Sequence, residues 1–227
     1  MKNTIISNFV KALKEIDKRD YTLANAVIKD DLINIFDDRY TTYENNFVTK
    51  LNEKYAILSN LKEIDEPDQL IRQFQIPKRF AYSEFGDENI KLAFEKIQLV
   101  LGKNNEIDEE WITIPDFIIH KDQEDVNSEN QRLIAEVKTE KQLSYKKFVW
   151  DFFKLNLYLE KLKFENGVFL SVNCSETVIL SHLKTYIKQR IFITTNPEKL
   201  FLIIKEDFST SEIVVNLNDF INKHFTK

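Results

Sequence analysis

Two apolar runs with a polar stretch between them, all within residues 111–138, constrain this chain most. The first, over 111–119, is rich in Ile, Trp and Phe; the second covers 132–137; and the ten residues between Lys121 and Asn130 are almost wholly polar. Aromatic and β-branched residues suit a half-buried pleated surface, and a polar stretch of that length cannot enter a core. The economical reading is a hairpin with a long solvated loop. Pro115 cannot donate to a ladder, so it marks a bulge, an edge or a strand start within the first run.

Elsewhere the spacing is mostly helical. Over residues 4–61 apolar side chains recur as Ile5, Phe9, Leu13 and Ile16, then Leu23, Val27, Leu32 and Phe36, then Phe47, Leu51, Tyr55 and Leu58. Two to four helices are expected there, with breaks near Arg19-Asp20 and Asp37-Asp38, and a short helix over 69–74 between Pro67 and Pro77. Residues 83–102 form the clearest helix, with Ile90, Phe94, Ile97 and Leu101 on one stripe and Phe85, Leu92 and Leu99 on another. An amphipathic helix over 148–162, a buried strand over 167–172, a helix over 176–188 and strands over 191–194 and 200–204 complete the pattern. The expected fold class is α/β or α+β: a helical region over 1–80, as an arm or small bundle, and a domain over 81–227 with a mixed central sheet flanked by helices.

Composition removes several functions. Three glycines, Gly86, Gly102 and Gly167, cannot build a phosphate loop or a dinucleotide-binding fingerprint. A net charge of −5 argues against a protein that coats nucleic acid nonspecifically, though not against a locally basic face. Cys174 is the sole cysteine, so neither an internal disulfide nor a cysteine zinc cluster can form; with no signal peptide at Met1-Lys2-Asn3-Thr4, the reducing cytoplasm is the expected setting. No apolar run approaches the roughly 20 residues that cross a bilayer, so no membrane partner is expected.

If the runs over 111–119 and 132–137 pair, Asp116 and Glu136 can meet at one point. Lys138 follows Glu136 by two residues and emerges on the same face of a strand, while Val137 points the other way. Two carboxylates beside an ammonium can hold a divalent metal and activate a water next to a phosphate. Mg²⁺ takes only one or two protein carboxylates, so a site this sparse is chemically sufficient.

Pro115-Asp116, nineteen intervening residues and Glu136-Val137-Lys138 together resemble the PD-(D/E)XK nuclease superfamily of restriction-endonuclease-like folds. The resemblance covers residues 83–173 and leaves the N-terminal helices unassigned. It implies a restriction-endonuclease-like core, Asp116 and Glu136 as metal ligands with the Val137 carbonyl, and Lys138 as the catalytic lysine. It further implies a glutamate from the helix before the sheet, Glu88 ahead of Glu84 or Glu95, and a polar residue from the helix after Glu136-Val137-Lys138. Lys154, three residues after Asp151, is the candidate for that last role. The implied activity is Mg²⁺-dependent hydrolysis of nucleic acid, DNA more than RNA, with Mn²⁺ as a substitute and restriction of foreign DNA or repair as settings. The N-terminal helices would set dimerisation or substrate choice.

Lys141, Lys146, Lys147, Lys154, Lys161 and Lys163 form a basic zone interleaved with Tyr145, Phe148, Trp150 and Tyr158, from which Lys141, Lys147 and Lys154 are candidate substrate contacts. The plain alternative is a solvated helix face. His120 could approach the same site if its strand is regular, or merely end the strand. Cys174 reads as a structural thiol. The alternative function is a catalytically silent module that keeps the fold for nucleic-acid binding or protein assembly.

Overall fold

The computed structural model describes residues 4–21, 36–60, 71–73, 78–81, 86–102, 110–120 and 130–226. The chain is a mixed α/β structure built on a six-stranded sheet in the order β1-β4-β5-β6-β7-β8. Its strands are β1 Ile71–Gln73, β4 Phe117–His120, β5 Gln131–Lys138, β6 Gly167–Val172, β7 Leu200–Lys205 and β8 Ile213–Asn216. A separate two-stranded sheet pairs β2 Lys78–Ala81 with β3 Glu110–Thr113. The expected hairpin is present: β4 and β5 pair antiparallel, Phe117 opposite Ala135 and Ile118 opposite Ile134. The first apolar run divides into β3 and β4, with Ile114, Pro115 and Asp116 between them.

β5, β6 and β7 run parallel, and parallel neighbours require crossovers, which α5 Tyr145–Lys161 and α6 Glu176–Lys188 supply. Ser144 caps α5, its hydroxyl accepting from the Lys147 N–H at 3.4 Å. α5 is buried on nearly every side, from Phe148 and Val149 through Asp151 to Leu159, because α4 Glu88–Leu101, α6 and the sheet all pack around it. It is therefore a central helix rather than the amphipathic one expected. Gly167, where β6 begins, is closely packed: a Cβ there would stand 3.1 Å from the side chains of both Leu159 and Leu200, which would have to give by a few tenths of an ångström.

The two faces of the sheet have separate cores. Ile118, Ile134, Phe169, Leu202 and Ile204 face α4, α5, α6 and α7 Leu217–Phe225. Phe117, Ile119, Leu133, Ala135, Val137, Leu170 and Ile203 face α1 Thr4–Lys14 and α3 Phe36–Asn60 through Phe9, Leu13, Phe47, Leu51 and Tyr55. The boundary drawn at residue 80 thus does not separate two cores, and the apolar stripe of α1 and α3 faces the sheet.

Several elements differ from expectation. Ile71–Gln73, expected within a short helix, is β1, paired antiparallel with β4; edge pairing along Ile118 to His120 outweighs local helical preference. The break after α1 falls at residues 15–17, and α2 Lys18–Tyr21 runs through Arg19-Asp20; α3 likewise runs through Asp37-Asp38. Residues 191–194 form no strand, since Thr194 is pinned by α5: its N–H donates to Asn156 Oδ1 at 3.0 Å and its hydroxyl to Glu160 at 2.9 Å. β2, β8 and α7 were not expected. The expected hairpin tip, residues 121–129, and Glu84 lie outside the described residues. Among the described residues no helix is long and apolar enough to cross a membrane.

Candidate functional site

Asp116 precedes β4 by one residue, and one step beyond the Phe117–Ala135 pair sets it opposite Glu136 on β5. Opposite residues of an antiparallel pair share a face with Cβ atoms about 4.5–5.5 Å apart. The ladder stops there, and the next N–H on that edge, that of Val137, donates to Asp116 Oδ2 at 2.7 Å. A side-chain carboxylate thus satisfies a backbone donor that the bend at Pro115 leaves without a strand partner, and the bond fixes Asp116 against β5. Val137 itself points into the core beneath α1 and α3.

Glu136 and Lys138 emerge on the α5 face. Glu136 is only 1% exposed, and its Oε2 lies 2.9 Å from Lys154 Nζ. Lys154 also meets Asp151 Oδ1 at 2.6 Å, one helical turn away on α5. Lys138 Nζ lies 3.4 Å from Asp151 Oδ2, 3.9 Å from Asp116 Oδ2 and 3.0 Å from Glu44 Oε1, which α3 brings past the end of β5. Four carboxylates, those of Glu44, Asp116, Glu136 and Asp151, thus surround two ammonium groups, a formal excess of two negative charges. Beside them Tyr158 donates to Thr113 Oγ1 at 2.6 Å, tying the end of β3 to α5.

Burial first, and that imbalance after it, sets protonation. Burial, reinforced by the charges of Asp116 and Asp151, pushes Glu136 well above the usual carboxylate range despite Lys154. Burial likewise raises Asp116, and raises Glu44 to about 7 against the pull of Lys138. Asp151 alone is lowered: burial opposes its charge, but Lys154 and Lys138 outweigh it. Burial also opposes the charge on both lysines, yet their carboxylate neighbours hold Lys138 and Lys154 above the ordinary lysine range. Burial and the nearby Glu136 raise the Tyr158 phenol well above its usual value.

Among the described residues, two buried polar atoms on this face, Glu136 Oε1 and Ser171 Oγ, have no hydrogen-bond partner. Ser171 stands beside Lys138 in the β5–β6 ladder, one alternation on from Phe169. An unsatisfied buried carboxylate oxygen costs about 1–3 kcal/mol or more, a penalty that a bound cation or water removes. Among the described residues no three His, Cys, Asp or Glu side chains form a ready-made metal cage, because the lysines stand between the carboxylates. Mg²⁺ needs no more than two protein carboxylates, the number that Asp116 and Glu136 would supply. The spare oxygen of Glu136 is the atom that such an ion would meet.

The structure brings Asp116, Glu136, Lys138 and Lys154 together, with Asp151 beside them. It does not bring Glu88, which begins α4 at the surface and pairs with Lys91 at 3.0 Å. Glu95 sits half-buried farther along α4. Helix Glu88–Leu101 turns Ile90, Phe94 and Ile97 inward, which leaves Glu88 outside. The helix glutamate at the cluster is instead Glu44, and a signal for it existed: Glu44 lies three, seven and eleven residues before Phe47, Leu51 and Tyr55, on the buried stripe of α3. The basic zone is not one surface, since Lys154 is internal while Lys141 is exposed and Lys147 pairs with Glu140. His120 is buried at the far end of β4, about 13 Å of strand from Asp116. Cys174 is buried beneath α5 and α6, and burial raises its thiol, as befits a structural residue. Comparison with protein-family models, with curated proteins and with solved structures finds no match.

Proposed function

We propose that the chain is a Mg²⁺-dependent nuclease of PD-(D/E)XK type with a restriction-endonuclease-like core, hydrolysing phosphodiester bonds in nucleic acid, DNA above RNA, in the cytoplasm. The observation that carries this reading is the partnerless, buried Glu136 Oε1 within a cluster two positive charges short of balance. Asp116 and Glu136 would hold the ion. The Val137 carbonyl leaves β5 on the same edge as the N–H bound by Asp116 and would face it too. A divalent cation bound there supplies a polarised water and neutralises charge on the scissile phosphate. Lys138 orients the water and stabilises negative charge developing on phosphate oxygens, its ammonium kept charged by Asp151, Asp116 and Glu44. Lys154 fixes one oxygen of Glu136 and leaves the other, which has no partner among the described residues, as the one that would hold the ion.

The silent-module reading draws on the same ion pairs, because Lys138 among three carboxylates also works as a clasp between α3 and α5. Incubation of the purified chain with single- and double-stranded DNA and RNA, with Mg²⁺ or Mn²⁺, separates the two. Mg²⁺-dependent cleavage that Lys138→Ala abolishes supports the nuclease. Failure to cut any of these substrates across metals and pH sinks it.

A further inference from the structure

Asp151, Lys154 and Tyr158 lie on one face of α5, Lys154 three residues and Tyr158 seven residues after Asp151. The first two grip β5: Lys154 Nζ lies 2.9 Å from Glu136 Oε2, and Asp151 Oδ2 lies 3.4 Å from Lys138 Nζ. The third reaches another strand. The Tyr158 hydroxyl donates to Thr113 Oγ1 at 2.6 Å, and both residues are buried. Thr113 ends β3, and Asp116 follows it by three residues, about 10 Å of extended chain. β3 pairs with β2 in the small sheet and has no ladder with the six-stranded one, so strand pairing does not set where the corner over Ile114, Pro115 and Asp116 lies against β5. Asp116 Oδ2 nevertheless meets the Val137 N–H at 2.7 Å, a bond that a displacement of about 1 Å would break. The corner itself offers little hold, since Pro115 has no N–H to donate and Ile114 is exposed. Downstream, the pairing of Phe117 with Ala135 anchors it. Upstream, the anchor is Tyr158.

We infer that Tyr158, acting through the Thr113 hydroxyl, is a positioning residue for Asp116, holding the upstream end of the corner so that the carboxylate stands against β5. What Asp116 does there, as a ligand of a divalent ion, rests on the metal-dependent reading above. Lys154 and Tyr158 thus set Glu136 and Asp116 from successive turns of one buried helix.

The test is amide hydrogen exchange of the full chain by NMR, with Tyr158→Phe, which removes the hydroxyl and keeps the ring. The Val137 N–H is expected to exchange about tenfold faster than in the wild type. Ile134, whose N–H donates to the Asn166 carbonyl at 3.0 Å on the other edge of β5, is expected to keep its rate. Thr113→Val should reproduce this selective loss, and Thr113→Ser, which retains a hydroxyl, should leave Val137 exchange at the wild-type rate. In cleavage, the Mg²⁺ concentration for half-maximal rate should rise about 10–100-fold in Tyr158→Phe, with the rate at saturating Mg²⁺ retained. Equal acceleration at Val137 and Ile134, no change at Val137, or an unchanged Mg²⁺ requirement in an active Tyr158→Phe overturns the inference and leaves the nuclease reading standing. A wild type that cuts no nucleic acid overturns the nuclease reading, and the exchange rates still decide whether Tyr158 places Asp116. Should Tyr158→Phe fold poorly, the contrast between Thr113→Val and Thr113→Ser decides the same point.

Discussion

Two buried lysines end two parallel strands of the same sheet, and their surroundings could hardly differ more. Lys205, the last residue of β7, emerges on the face of the N-terminal helices, where it lies 2.9 Å from Glu212, bonds the Thr210 carbonyl and stands 6.0 Å above the Tyr21 ring. Lys14 also reaches Glu212, at 3.4 Å. Neither Lys205 nor Glu212 leaves a buried side-chain atom unsatisfied, and although burial opposes the charge on Glu212, its hydrogen bonds and the charges of Lys205 and Lys14 together lower its carboxyl. Lys138, the last residue of β5, instead enters a group in which carboxylates outnumber ammonium groups, Glu136 keeps an orphaned oxygen, and burial raises three of the four acids. A balanced pair accounts for itself as structure. An unbalanced one is costly to the fold unless its acids are neutralised, by protons or by a cation.

The contrast breaks most visibly in catalysis. Lys138→Ala and Glu136→Ala should each slow cleavage by about 10²–10⁴-fold, the range for losing a proton-transfer or charge-stabilising group, whereas Lys205→Met should cleave at the wild-type rate in a gel assay. A Lys205→Met enzyme as impaired as Lys138→Ala would erase the distinction. Stability should reverse the order of importance. Lys205→Met strands Glu212 and should cost roughly 3 kcal/mol in urea unfolding, near the lower end for breaking a buried pair because Lys14 still reaches Glu212.

Mg²⁺ sharpens the comparison from the other side. At a hundredfold excess over its dissociation constant it should stabilise the wild type by about 2.7 kcal/mol, and Glu136→Gln should abolish that gain, read as the shift in unfolding midpoint. The smallest effect is one of pH. Glu44 titrates near 7 in the folded chain against 4.5 as an ordinary glutamate, so the folded state binds more protons between those values. Stability from this group therefore falls as pH rises through that window. Glu44→Gln should gain on the order of 2 kcal/mol relative to wild type between about pH 5 and about pH 8 without metal. Glu212, held below its ordinary value, has the opposite sign: its contribution is present above the unfolded pKa and fades on acidification. Parallel wild-type and Glu44→Gln stability curves would remove Glu44 from the unbalanced group.

Much of this arrangement was legible from local pattern, because Asp116, Glu136, Lys138 and Lys154 obey short-range rules. Strand alternation places Glu136 with Lys138, the hairpin brings Asp116 across, and a helical turn carries Lys154 with Asp151. Glu44 is not legible in the same way because its contact with Lys138 joins residues 94 apart, although it stands on the buried stripe with Phe47, Leu51 and Tyr55. Ile71–Gln73 failed for a related reason. A three-residue edge strand carries almost no periodicity of its own and exists only because β4 offers it a partner. The apolar residues 191–194 erred in the other direction, since Ile191 and Ile193 pack against the core while the backbone bonds go to α5.

Glu44 reaches Lys138 from the far side of the sheet, and this has a consequence for assembly. The cluster closes only when α5 covers one face and α3 the other, so it needs both layers in place. A chain whose N-terminal helices had not yet docked would lack Glu44 and would expose Phe117, Leu133, Val137 and Leu170 to water. On the reading proposed above, the site is complete only once α3 has docked on the sheet.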